Sequence, residues 1–152
     1  MLNLDQLKGC MRLNKVGRFQ TTNMLEPMSV GEHSFRATVL YIYLGGTEVI
    51  SMLTHDAEEC ESGDIPGPAK RAGLVTVSQE LKDKYCVPFE DPIEKKLGKL
   101  ADILDLAFHI RKQAKQDEEL MEVYEEELNN IRDLARELKK TREVKKLLRE
   151  IK

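Results

Sequence analysis

Two of the three histidines, His33 and His55, stand in acidic company, and His55 is followed directly by Asp56. Imidazole and carboxylate together suit a borderline divalent ion such as Zn²⁺, Mn²⁺, Fe²⁺ or Co²⁺. On a helix, neighbouring residues point about 100° apart, so His55 and Asp56 can both grip an ion held beside the axis. A further carboxylate, Asp102, lies inside Leu100-Ala101-Asp102-Ile103-Leu104. A charged group among apolar residues needs a partner, and a metal is one. Asp102, Asp105 and His109 share one helical face, so Asp105 or His109 is an alternative ligand to Asp102.

The segment that follows His55 is dense in charge. Asp56, Glu58, Glu59, Glu61 and Asp64 fall close together, and such crowding costs stability unless a cation lies nearby. Glu59 follows His55 by one helical turn and shares its face. Asp64 falls in a loop, where a carboxylate beside a metal-bound water can act as general acid or base. Lys70 closes that loop and would attract a phosphate. Taken singly, each feature also fits a solvated acidic loop or a histidine held in a core.

The elements that must carry these residues read as helices. Ser29-Val30-Gly31-Glu32 fits a capping box, in which the Ser hydroxyl and the Glu carboxylate satisfy each other's free backbone N–H groups. The run Phe35 to Leu44 continues that helix, and Gly45-Gly46 ends it. Thr38 to Tyr43 has strand-like composition, but the cap and the length favour helix. A second helix is expected from Glu48 to about Glu59, with Val49, Ile50, Met52 and Leu53 inward. Glu61 to Lys70, with Gly63, Pro66, Gly67 and Pro68, is a loop. A weaker helix is expected over Ser78 to Lys84, before Pro88. Beyond residue 92 there is no proline and only Gly98. Leu97, Leu100, Ile103, Leu104, Ala107 and Phe108 recur at helical spacing. Gln116-Asp117 marks a break. Leu120, Tyr124, Leu128, Ile131, Leu134, Ala135 and Leu138 form a second stripe, which Val144, Leu148 and Ile151 extend. No convincing strand is found, and the fold class is all-α.

The chain has 152 residues with a net charge of -3. That length suits a single domain, read here as 1–152 with 118–152 a C-terminal helical extension. Hydrophobic residues make up 41%, too large a share for a disordered chain. A duplex-binding protein is usually basic, so no duplex nucleic acid partner is expected. No apolar run reaches the length of a membrane span, so no membrane partner is expected. The start, Met1 to Cys10, lacks the basic and apolar regions of a secretory signal. Three cysteines, Cys10, Cys60 and Cys86, lack metal-ligand spacing and read as reduced thiols of a cytoplasmic protein.

Four separated motifs stand in order: Arg12-Leu13-Asn14-Lys15-Val16-Gly17-Arg18-Phe19, then Glu32-His33-Ser34, then His55 through Lys70, then Lys99-Leu100-Ala101-Asp102. Together, over roughly residues 8–108, they resemble the HD-domain phosphohydrolases. The likeness is to bacterial 5′-deoxynucleotidases and to compact phage deoxynucleotide phosphohydrolases, including dATP triphosphohydrolases. The resemblance implies an HD-domain helical bundle. It also implies one divalent metal ion (Co, Mn, Zn or Fe) held by His33, His55, Asp56 and Asp102, with Mg accompanying a triphosphate substrate. Glu59 and Asp64 match the acidic pair that handles the attacking water and the leaving group. Arg18 matches the arginine that holds the phosphate. Lys70 matches a basic residue near it. Phe19 stands where many 5′-deoxynucleotidases carry a tryptophan packed on the sugar. The stretch between Asp64 and Asp102 is short and the C-terminal part differs, so base preference does not transfer.

The expected activity is removal of phosphate from a deoxynucleotide, from a monophosphate or from a triphosphate. The expected setting is the cytoplasm (a host's, if phage-encoded), and a homo-oligomer is expected. Arg12, Lys15, Arg18, Lys70 and Arg71 would suit more than one phosphate, although Arg12 and Lys15 equally fit an ordinary surface patch. The competing reading is a non-catalytic helical binding or assembly module with a degenerate or structural metal site, built on the 118–152 stripe.

Overall fold

The computed structural model describes residues 1–18, 27–65, 73 and 75–150. Among them the regular structure is helical: eight α-helices, a 3-10 turn and no strand. The helices are α1 (Leu4–Arg12), α2 (Val30–Tyr43), α3 (Val49–Leu53), α4 (Glu59–Ser62), α5 (Gln79–Tyr85), α6 (Pro92–Ala114), α7 (Glu118–Glu137) and α8 (Thr141–Glu150). The 3-10 turn covers Leu13–Lys15. The all-α expectation is therefore met. None of these helices is long and apolar enough to cross a membrane.

The chain forms two compact units. The first comprises Met1–Arg36 and Ile50–Phe89, the second Ala37–Val49 and Glu90–Lys152.

In the first unit α1 packs on α4 and α5. It starts with a capping box that the sequence reading did not anticipate: the Asn3 side chain accepts from Gln6 N at 2.9 Å, and Gln6 Oε1 accepts from Asn3 N at 2.9 Å. Leu13, Met28, Val30, Met52, Ala57, Ile65 and Tyr85 form its apolar interior. The start of α2 is capped as expected, with Glu32 N donating to Ser29 Oγ at 3.1 Å and Ser29 N donating to Glu32 Oε2 at 2.8 Å. Just before it, an isolated antiparallel bridge pairs Gly17 with Ser29. Val30 N donates to Val16 O and Arg18 N to Met28 O, both at 2.8 Å, so residues 16–18 lie along the entrance to α2.

The single helix expected from Glu48 to about Glu59 is instead two short helices, α3 and α4, joined by turns over residues 54–58. There the backbone closes on residues three back: His55 N to Met52 O, Ala57 N to Thr54 O, and Glu59 N to Asp56 O. The tighter turn has a local and a distant contribution. Thr54 Oγ1 donates back to Ile50 O at 2.9 Å, a bond that bends helices. The same hydroxyl accepts from Val87 N at 2.9 Å.

In the second unit α6 and α7 pack along each other and α8 packs on α7. Asp91 caps α6 through Ile93 N at 2.7 Å, with Pro92 in the first turn, where its missing N–H costs nothing. Leu97, Leu100, Ile103, Leu104 and Ala107 are buried, as their spacing predicts, while Phe108 is half-buried. Asp117 caps α7 at the expected break, accepting from Leu120 N at 3.1 Å. The second stripe does not run on unbroken. Leu138 N, Lys139 N and Lys140 N donate to Leu134 O, Arg136 O and Ala135 O, with Lys139 at φ 56, which ends α7 in a Schellman turn. This turn resets the register, so Val144 and Leu147 are buried in α8 and Leu148 only half-buried. Ile151 lies outside the described residues.

Candidate metal centre

His33 and the His55–Asp56 pair come together in the first unit. His33 sits in the first turn of α2, positioned by the Ser29–Glu32 cap, and its side chain is fully buried. His55 and Asp56 are carried by the tight turn between α3 and α4. His33 Nε2 lies 3.6 Å and His55 Nε2 3.2 Å from Asp56 Oδ2. The two imidazole rings are 5.4 Å apart and tilted by 59°, so neither stacks flat upon the other. Donor atoms of all three residues lie within 4.8 Å of one another, and the group could hold a metal ion. Two ligand atoms about 2.1 Å from one ion at a tetrahedral angle stand about 3.4 Å apart. The two nitrogen–oxygen separations bracket that value.

The tautomer of His55 favours the same use. Its Nδ1 lies 2.8 Å from Met52 O. A carbonyl can only accept, so Nδ1 carries a proton there, and Nε2, 3.2 Å from Asp56 Oδ2, is the ring nitrogen placed to face an ion. His55 Nε2 is buried and makes no hydrogen bond with the described residues. A ligating histidine held by its other ring nitrogen on a backbone carbonyl is a common support for metal binding.

The acidic cluster resolves into groups with separate partners. Glu61 accepts from Arg12 Nη1 at 2.6 Å and from Tyr85 Oη at 3.0 Å. Those two hydrogen bonds, Arg12 first, hold its carboxyl below the ordinary value. Glu58 is buried and accepts from Cys86 Sγ at 3.0 Å. Burial, then the Glu58 carboxylate, pushes the Cys86 thiol up to about 12. The repulsion that suggested a cation is thus partly relieved by protein donors. Arg12, counted among the cations for a phosphate, is engaged by Glu61. All three cysteines are free thiols.

The other expected site residues are distributed as follows. Glu59 is buried at the start of α4, its N–H on Asp56 O at 3.0 Å. Asp64 is half-buried just beyond α4, after Gly63 at φ 74. Arg18 is half-buried next to the Gly17–Ser29 bridge. Asp102 belongs to α6 in the second unit, where Lys99 Nζ meets its Oδ2 at 2.7 Å. In the same helix Asp105 is buried and His109 half-buried. Phe19, Lys70 and Arg71 lie outside the described residues.

Sequence reasoning missed Thr54, Tyr85 and Cys86, which hold the turn and its carboxylates. Their partners lie far along the chain, and no local pattern announces them. Compared with known proteins, the chain matches no family model and no curated protein.

Proposed function

We propose that this chain is a metal-dependent phosphohydrolase of the HD-domain type, removing phosphate from deoxynucleotides. The observation that carries the reading is the convergence of His33, His55 and Asp56, with His55 Nε2 turned towards Asp56 Oδ2 by the Met52 bond. A divalent ion there (Co²⁺, Mn²⁺, Zn²⁺ or Fe²⁺) would lower the pKa of a bound water towards about 7 and offset phosphoryl charge.

His33, His55 and Asp56 hold the ion. Glu59 and Asp64 orient or deprotonate the attacking water and protonate the departing oxygen. Arg18 clamps the phosphate by paired N–H bonds, a geometry lysine cannot copy. The resemblance gives Phe19 the position of the sugar-packing ring and Lys70 that of a point charge near the phosphate. Mg²⁺ accompanies the substrate if that is a triphosphate. The protein works in the cytoplasm as a homo-oligomer.

The test is product analysis by liquid chromatography. Each deoxynucleoside mono- and triphosphate, with the ribo versions, is offered with Mn²⁺, Co²⁺ or Zn²⁺, and with chelator. Nucleoside and orthophosphate from monophosphates alone define a 5′-deoxynucleotidase. Consumption of triphosphates defines a triphosphohydrolase. His55→Ala removes metal loading and turnover together, and Arg18→Ala mainly weakens phosphate binding. Turnover that survives His55→Ala sinks the assignment. No turnover with any metal, in folded protein, moves the reading to a helical binding module.

A further inference from the structure

The turn that carries His55 and Asp56 is laced to a second segment of the first unit, residues 86–88. Four polar contacts join them. Cys86 Sγ donates to Glu58 Oε2 at 3.0 Å and lies 3.9 Å from His55 O. Val87 N donates to Thr54 Oγ1 at 2.9 Å, and Ser51 Oγ donates to Pro88 O at 3.0 Å. These contacts reach both sides of the His55–Asp56 pair: Ser51 and Thr54 before it, Glu58 after it. Thr54 and Glu58 are buried, so losing a partner there would leave a desolvated polar group.

We infer that Cys86, with Val87 and Pro88, is a positioning element for the proposed metal centre: it holds the 54–58 turn in the shape that aims His55 and Asp56 at one ion. The inference rests on the metal-centre reading. Cys86 acts as a hydrogen-bond donor, not as a ligand or nucleophile. Its donor role is read from the geometry, with Sγ 3.0 Å from the acceptor Glu58 Oε2. The turn itself makes short-range backbone bonds of 3.0–3.5 Å at His55, Ala57 and Glu59, so its shape depends on support from outside. Partners of ligating groups commonly change metal affinity by about 10–100-fold when removed.

The experiment compares the full chain with Cys86→Ala, Cys86→Ser and Cys10→Ala. Zn²⁺ and Mn²⁺ affinities are measured by competition with a chromogenic chelator. Amide hydrogen exchange over residues 54–59 is followed in the metal-free proteins. Cys86→Ala lowers metal affinity about 10–100-fold and speeds exchange in the turn. Cys86→Ser keeps a donor and restores most of both. Cys10→Ala removes a comparable thiol elsewhere and leaves both unchanged. Equal metal affinity and exchange in Cys86→Ala and the unaltered chain overturn the inference, and so does an equal loss in Cys10→Ala. An unaltered chain that binds neither metal overturns the metal-centre reading, and the exchange data then decide by themselves whether Cys86 holds the turn.

Discussion

His55 is fixed through Nδ1 by a single backbone carbonyl, Met52 O, which turns its Nε2 towards Asp56 Oδ2. Glu61 shows the opposite use of a charged side chain. Arg12 and Tyr85 both donate to its Oε1, and their hydrogen bonds lower its pKa. A carboxyl whose folded pKa is depressed favours the fold above its unfolded value. The contribution disappears as pH falls through the lowered folded value. Arg12→Ala removes the largest cause, so the Glu61 carboxyl should titrate closer to the ordinary carboxylate value. Carbon-detected NMR titration reads this directly, and an unmoved Glu61 would show that Arg12 is not what holds it. At this scale the sequence was legible where chemistry resides in the residue types themselves. His33, His55 and Asp56 could be named because imidazole and carboxylate suit a divalent ion and the order of the motifs set them apart from a solvated loop or a core histidine. Cys86 could not, because its role depends on Glu58, a partner brought near only by folding.

Ser29 with Glu32 was legible as a helix start, and Gly45-Gly46 as an end. Asn3, Asp91 and Asp117 also cap through partners at most three residues away, but were not read as caps. The break over 54–58 depends on Val87, and the end of α7 depends on a lysine in a conformation that lysine disfavours. Lys139 has φ 56 in a position usually taken by glycine. Left-handed backbone costs a non-glycine residue about 1–2 kcal/mol, and glycine returns part of that gain through its freer unfolded chain. Lys139→Gly should therefore stabilise the chain by about 0.5–1 kcal/mol in urea unfolding. A loss of stability would mean that the lysine side chain contributes more than its backbone strain. Gly46 gives the reverse case. A Cβ there would lie 2.3 Å from Tyr41 Cζ. Tyr41 cannot easily retreat, because it is buried and its hydroxyl bonds Glu94 and accepts from Glu48 N. Gly46→Ala should cost about 1–3 kcal/mol by overpacking, read from the same unfolding curves. A near-neutral result would mean that the Tyr41 ring has room to move.

At the scale of the whole chain, the loss of proline and the near-loss of glycine after residue 92 fall close to Glu90, where the second unit resumes. The assignment of Ala37–Val49 to that unit was not legible, because α2 is one continuous helix with no signal at its middle. The division has a thermodynamic consequence for the first unit. Its three converging ligands come from the start of α2 and from the 54–58 turn, segments joined by a long stretch of chain. An unfolded chain has no such geometry, so a bound ion stabilises the folded form by mass action. At a free metal concentration about 100 times its Kd, the gain should be about 2.7 kcal/mol. Titrating Zn²⁺ or Mn²⁺ into the chelator-treated chain and following thermal unfolding reads the magnitude. Hydrogen exchange reads the place: slowing should appear at residues 30–36 and 52–62 and be absent in His33→Ala. A gain in stability that persists in His33→Ala would place the ion on other residues. Slowing confined to 30–36 and 52–62 would show one ion joining a helix start to a turn that sequence separates and folding brings together.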